Sequence, residues 1–161
     1  MNAWPRLVAD VMLGRLARWL RLAGLDVAYD PAWDDDHLLR LAVREQRVLL
    51  TRDRLLYQRA QRTHVPALFV RADRLAEQFP EVCSGLRLDP DSLPWFARCA
   101  VCNAPIRPVQ RDLVRHIVPD YVWRHHRRFY QCPACDRIYW AGSHYRQMMG
   151  LRARWTATNG E

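Results

Sequence analysis

The stretch LVADVMLGRLARWLRLAG, residues 7–24, decides the fold. Leu7-Val8-Ala9 is a short apolar run that stops at Asp10 and reads as a strand. Apolar residues then recur at Leu13, Leu16, Ala17, Leu20 and Ala23, with Arg15, Arg18 and Arg21 on the other side. That spacing predicts an amphipathic helix that stops at Gly24. The same order of strand, aspartate and helix recurs downstream. Asp26-Val27-Ala28-Tyr29 runs into Asp30, and Asp34-Asp35-Asp36 opens a helix through Leu38, Leu39, Leu41, Ala42 and Val43. Val48-Leu49-Leu50 ends in Thr51-Arg52-Asp53, before a helix through Leu55, Leu56 and Ala60. Ala67-Leu68-Phe69-Val70 ends near Asp73, and Leu75 to Val82 reads as another helix. Strands and helices alternating over loops this short predict the α/β class, a parallel sheet with helices on its faces.

Functional groups of such sheets gather where strands end at their carboxyl edge. Asp10, Asp30, Asp53 and Asp73 each follow a strand, and Asp34–Asp36 adjoin that edge. Crowded carboxylates repel one another, and one or two divalent cations would neutralise them. Oxygen-only ligation favours Mg²⁺ or Mn²⁺. Such ions can activate water and stabilise the leaving oxygen in phosphodiester hydrolysis. Taken singly, each aspartate reads equally well as a helix cap or a turn residue. The metal reading rests on Asp10 and Asp53 together, both placed just past a strand.

The rest of the chain differs in chemistry. Of 161 residues, half are hydrophobic, which excludes wholesale disorder. No apolar run approaches the roughly 18 residues of a membrane span. The start, MNAWPRLVAD, lacks the basic-then-apolar order of a signal peptide, so a cytoplasmic location is expected. Cys99-Ala-Val-Cys102 and Cys132-Pro-Ala-Cys135 are two CxxC pairs separated by 29 residues. Two such knuckles can converge four thiolates on one structural Zn²⁺, a small four-cysteine zinc ribbon. The competing readings are disulfides, which need an oxidising compartment, and a redox CxxC, which does not usually come in two copies. Cys83 stands outside the pattern and reads as a buried small hydrophobe.

All 25 basic residues are arginine, against 17 acidic ones, for a net charge of +8. Codon bias explains the absence of lysine as readily as function does, but not the excess of positive charge. Residues 1–90 carry 14 arginines and 12 carboxylates, a net of +2; residues 91–161 carry 11 and 5, a net of +6. Between the knuckles, Arg111, Arg115, Arg124, Arg127 and Arg128 interleave with His116, Tyr121, Trp123, His125, His126 and Phe129. Cations on phosphates and rings on bases suit single-stranded RNA. Each aromatic taken singly reads rather as part of the core of a small ribbon, whereas the arginines have no such packing role. The expected division is residues 1–90 as the α/β domain, 91–97 as a linker bounded by proline breakers, 98–150 as the zinc ribbon and 151–161 as a frayed tail.

The opening from Asp10 through Gly24, Leu49-Leu-Thr-Arg-Asp53, Arg98-Cys-Ala-Val-Cys-Asn103, Pro119-Asp-Tyr-Val122, Phe129-Tyr-Gln-Cys-Pro-Ala-Cys135 and Tyr139-Trp-Ala-Gly-Ser-His-Tyr145 together resemble the Mut7-C family. The resemblance covers about residues 6 to 149. It implies a PIN-like ribonuclease domain fused to a zinc ribbon, with RNA cleaved at metal-bound acidic residues. It carries over to Asp10, Asp35 and Asp53, with Asp36 competing for the register of Asp35 and Asp73 as a looser match. His144 lies in one of the matching motifs.

The expectation is therefore a Mg²⁺- or Mn²⁺-dependent ribonuclease. Asp10, Asp35 and Asp53 would hold the ion, and Asp36 and Asp73 are the further catalytic candidates. Arg15, Arg18, Arg52, Arg124, Arg127, Arg128 and His144 would contact RNA, and Cys99, Cys102, Cys132 and Cys135 would hold zinc. Water is the expected nucleophile, since no Ser–His or Cys–His constellation stands out. The alternative is a catalytically inactive RNA- or ribosome-binding module.

Overall fold

The computed structural model describes residues 4–158, without the side chains of His144 and of residues 156–158. Four parallel strands form the first sheet: β1 (Leu7–Ala9), β2 (Val27–Ala28), β3 (Val48–Thr51) and β4 (Ala67–Phe69), in the order β2-β1-β3-β4. Each is followed by a helix: α1 (Gly14–Leu22), α2 (Asp35–Arg44), α3 (Arg54–Arg62) and α4 (Leu75–Gly85). The α/β parallel sheet is thus present, with α4 three residues longer than its apolar pattern suggested.

Alternation along the strands divides the core into two layers. Leu7, Ala9 and Leu50 face one side, where Leu16, Leu20, Phe79 and Val82 of α1 and α4 close over them. Val8 and Leu49 face the other side, against Leu38, Leu41, Leu56 and Ala60 of α2 and α3. Full burial of each of the valine, leucine and phenylalanine side chains among them is worth about 1.5–3 kcal/mol. The loops back to the strands are short because all four helices close alike. Gly24, Gln46, His64 and Arg87 take left-handed backbone, and the next N–H bonds back to the last turn, as from Leu25 to Leu20 O at 3.0 Å and from Val65 to Ala60 O at 2.8 Å.

The second sheet is antiparallel, with β5 (Arg107–Val109), β6 (Phe129–Gln131) and β7 (Ile138–Tyr139) in the order β5-β6-β7. Its small core holds Val114, Val118, Val122 and Phe129, with α5 (Asp120–His125) packed on it. The arginines here do take part in packing, contrary to expectation. Arg111 lies 3.6 Å from the centroid of the Trp123 ring and donates to His126 O at 3.1 Å, while the Trp123 indole donates to Arg111 O.

Residues 151–158 are not a frayed tail. They continue α6 (Ser143–Thr158), and Leu151 and Trp155 are buried in the core beside α1 and α4. Trp155 stacks on Phe79 with centroids 4.4 Å apart. Its indole N–H donates to Ala76 O at 3.1 Å. That carbonyl lacks a helical partner because Pro80 has no N–H to offer it. The segment read as a linker is packed as well: Leu93 is buried, and Trp95 lies against Phe79 at 5.6 Å. Among the described residues no helix is long and apolar enough to cross a membrane.

Candidate carboxylate site and cysteine centre

From β1 the chain crosses to β2 on one side, then returns past β1 to β3 on the other. The carboxyl ends of β1 and β3 therefore flank the point where the sheet's winding reverses, the crevice in which open parallel sheets bind ligands. Asp10 follows β1 there and is 3% exposed. Its Oδ1 accepts from Met12 N at 2.9 Å, and its Oδ2 accepts from Arg52 N at 2.9 Å and from the Thr51 hydroxyl. Asp53 follows β3. Its amide donates to Thr51 Oγ1 at 2.9 Å, and its Oδ1 caps α3 by accepting from Leu55 N and Leu56 N at 2.8 and 3.1 Å. Asp10 and Asp53 are thus caps, and they are also tied to each other through Thr51.

Asp35 opens α2, at the same edge of the sheet. Burial and the negative charges of Asp53 and Asp10 hold its carboxyl above the usual carboxylate range, against the pull of Arg59, whose Nη1 is 4.0 Å away. Asp34 caps the helix by accepting from His37 N at 2.8 Å. Asp36 is 62% exposed and pairs with Arg59, whose hydrogen bond and charge hold it below the usual range. The charges of Asp53 and Asp10 therefore bear on Asp35, while Asp36 is paired with Arg59. Asp73, 87% exposed, pairs with Arg52.

The donor chemistry of Asp10, Asp35 and Asp53 fits a hard divalent cation. All donors are carboxylate oxygens, and Asp53 Oδ2 makes no hydrogen bond among the described residues. The three do not form a closed cage, since the cysteine quartet alone among the described residues gathers three or more ligand atoms within 4.8 Å. An open rim is compatible with Mg²⁺, which is usually held by one or two carboxylates and keeps several waters.

The cysteine centre is closed. The Sγ atoms of Cys99, Cys102, Cys132 and Cys135 lie within 4.8 Å of one another. The two knuckles share one backbone design. Asn103 and Asp136, each just after the second cysteine, are left-handed at φ 69° and 62°. Asn103 N donates to Cys99 O at 3.0 Å and Asp136 N to Cys132 O at 2.9 Å; Cys99 N reaches Ala104 O and Cys132 N reaches Arg137 O. Asn and Asp are the side chains that best tolerate this conformation. Burial pushes the Cys99 thiol up, but hydrogen bonds from the Tyr139 hydroxyl and nearby amides hold it down to about 7. Burial pushes Cys102 up to about 12. Without a cation Cys99 ionises easily, whereas Cys102 and Cys135 resist ionising. A bound Zn²⁺ would remove that resistance, so the donor set fits zinc. Cys83 is buried, and its thiol is pushed up to about 12 by burial.

The first knuckle is fastened to the parallel sheet. Arg21 was expected on the solvent face of α1 but is buried. Its Nη1 donates to Ala100 O and Val101 O at 3.1 and 2.9 Å, and its Nε to Val27 O at 2.9 Å. The Asn103 side chain accepts from Val27 N at 3.0 Å and donates to Asp26 Oδ1 at 2.8 Å. Asp26 also accepts from the buried Arg47 at 2.7 Å.

Of the arginines expected on RNA, Arg15 and Arg18 are exposed along α1, and Arg127 and Arg128 are exposed with no ion pair among the described residues. Arg124 pairs with Asp120 at 2.8 Å. The side chain of His144 lies outside the described residues. Sequence reasoning missed Thr51, Arg59, Asn103 and the buried role of Arg21. The one local signal for Thr51 is its place two residues before a helix-capping aspartate.

Comparison with known proteins adds one finding. A family model described as the Mut7-C RNAse domain matches residues 5–151. No curated protein and no solved structure gives a significant match.

Proposed function

The chain belongs to the Mut7-C RNAse domain family, and we propose that it hydrolyses RNA phosphodiester bonds at Asp10, Asp35 and Asp53 with Mg²⁺ or Mn²⁺. The observation that carries this reading is the placement of Asp10 and Asp53 at the reversal point of the sheet, tied through Thr51, with Asp35 opening α2 at the same edge. Repelling carboxylates do not stabilise a fold; a cation there would offset the repulsion. A divalent ion at these oxygens supplies an activated water and offsets the charge that develops on the phosphate.

The chain's own groups set the geometry. Thr51 and the Arg52 amide fix the rotamer of Asp10, and the first turn of α3 fixes that of Asp53. Asp35 is the third ligand in this proposal and Asp36 is not, because the Asp36 carboxylate is taken up by Arg59. Asp73 is assigned to orienting Arg52. Arg15 and Arg18 would draw the phosphate backbone towards the rim, and Arg127 and Arg128 of the ribbon would hold a single strand. Zinc on the four thiolates is structural, with no open position for chemistry. Thiolate ligation of this kind suits the reducing cytoplasm.

The test is cleavage of single-stranded RNA by purified protein with Mn²⁺, set against Asp10→Asn and Asp53→Asn. Loss of cleavage in both, with the fold and zinc content retained, is the expected result. Activity surviving both substitutions rejects the assignment.

A further inference from the structure

Beside the carboxylate rim the parallel sheet has a free edge. Among the described residues β4 pairs with β3 on one side only, and along its other side runs a groove of about 1060 Å³. Arg52, Arg54, Tyr57, Phe69, Arg71 and Glu81 are among its walls. Three arginines thus line the groove with one carboxylate, that of Glu81, and of the three Arg52 is paired with Asp73. The Glu81 carboxylate is already occupied, because it accepts from Arg71 N and Ala72 N at 2.8 and 2.9 Å. Arg54 and Arg71 are exposed and form no ion pair among the described residues. Tyr57 and Phe69 lie together with ring centroids 5.6 Å apart. The groove is continuous with the rim through one residue, since Arg52 lines the groove and its amide donates to Asp10.

We propose that this groove is the binding track for the single-stranded RNA on one side of the bond to be cut, with Arg54 and Arg71 on its phosphates and Tyr57 under a base. The inference rests on the ribonuclease reading for its substrate, but it names a surface that reading did not include. Unpaired guanidinia beside an aromatic platform are what sequence-tolerant single-strand binding needs. An added protein strand would also fit a free edge. A three-residue strand offers it few ladder bonds, however, and the cationic walls favour a polyanion.

The experiment uses the full zinc-loaded chain carrying Asp10→Asn, so that RNA is bound and not cut. Binding of a fluorescent oligouridylate is measured across a salt series for this protein, for a version with Arg54→Glu and Arg71→Glu, and for a control with Arg40→Glu and Arg62→Glu. The control makes the same charge change away from the groove. The groove version is expected to bind roughly tenfold more weakly or worse, with a salt slope lower by about 1.4, two phosphate contacts at about 0.7 each. The control is expected to change little. An oligomer carrying 4-thiouridine is expected to crosslink to Tyr57. Equal losses in groove and control versions, or crosslinks confined to the ribbon, overturn the proposal. So does unchanged RNA affinity in the groove version, which would leave the edge to a protein strand.

The two readings fail separately. Cleavage that needs Asp10 and Asp53 but ignores Arg54 and Arg71 leaves the nuclease standing without the groove. Groove-dependent binding with no cleavage under any divalent ion leaves the groove standing without the nuclease.

Discussion

The hydroxyl of Thr51 donates to Oδ2 of Asp10, and its oxygen accepts the amide of Asp53. One fully buried side chain at the end of β3 thereby holds two of the three carboxylates in a fixed relation. Thr51→Val keeps the shape and removes both bonds. We expect the fold to survive with a loss of about 1–3 kcal/mol, the cost of unsatisfied buried groups. RNA cleavage should fall about severalfold, because Asp10 keeps its bonds from Met12 N and Arg52 N but loses the one from the Thr51 hydroxyl to Oδ2. Denaturant titration and a cleavage assay check the two effects, and full activity in this variant would show that Thr51 is not needed to position Asp10.

Acid stability should depend on Asp26. Burial pushes its carboxyl up, but hydrogen bonds from Arg47, Asn103 and Arg6 and the Arg47 charge outweigh burial and hold it at about 2, below the ordinary 3.8. A carboxyl lowered on folding contributes stability that is complete above the unfolded value. That stability is lost as pH falls from about 4 through about 2. Asp26→Asn should cost about 1–2 kcal/mol at neutral pH, allowing for partial exposure. It should also flatten the stability profile in that acid window. A profile that keeps its acid limb in the variant would count against Asp26 as the cause.

Removing zinc should loosen the parallel sheet as well as the ribbon. The Val27 amide donates to Asn103, whose backbone belongs to the first knuckle. A chelator should release the metal and speed hydrogen exchange at Val27. It should also make four thiols reactive, while the buried Cys83 stays protected. Exchange at Val27 that is indifferent to the metal would mean that the knuckle holds its shape unaided.

The C-terminal helix should be indispensable to stability. Trp155→Ala removes a buried indole from the core and is expected to cost about 3–5 kcal/mol. Trp155→Phe keeps the ring contact with Phe79 and loses the bond to Ala76, for about 1 kcal/mol. Equilibrium unfolding in urea distinguishes the two. An alanine variant as stable as the parent would place Trp155 outside the core.

Much of the fold was legible because its signals are local. Apolar spacing along residues 7–24 marks a strand and an amphipathic helix by itself, and the CxxC spacings define two knuckles whichever way the chain folds. Asp10 and Asp53 were legible as a pair because each follows a strand. Whether Asp35 or Asp36 faces the rim was not, because adjacent residues at a helix start differ only in rotation about its axis. Arg21 was misread for a related reason. It shares a helix face with the exposed Arg15 and Arg18, and only the docked knuckle buries it.

The sequence by itself determined the α/β alternation, the cysteine quartet and the ends of strands where carboxylates would stand. Tertiary structure alone decided strand order, and with it that Asp10 and Asp53 share one crevice through Thr51. It also decided that residues 151–155 return to the first core and that the knuckle locks onto β2. The physical reason is range: periodicity and metal-ligand spacing act within a few residues, whereas burial and hydrogen bonding between distant segments depend on which strands become neighbours.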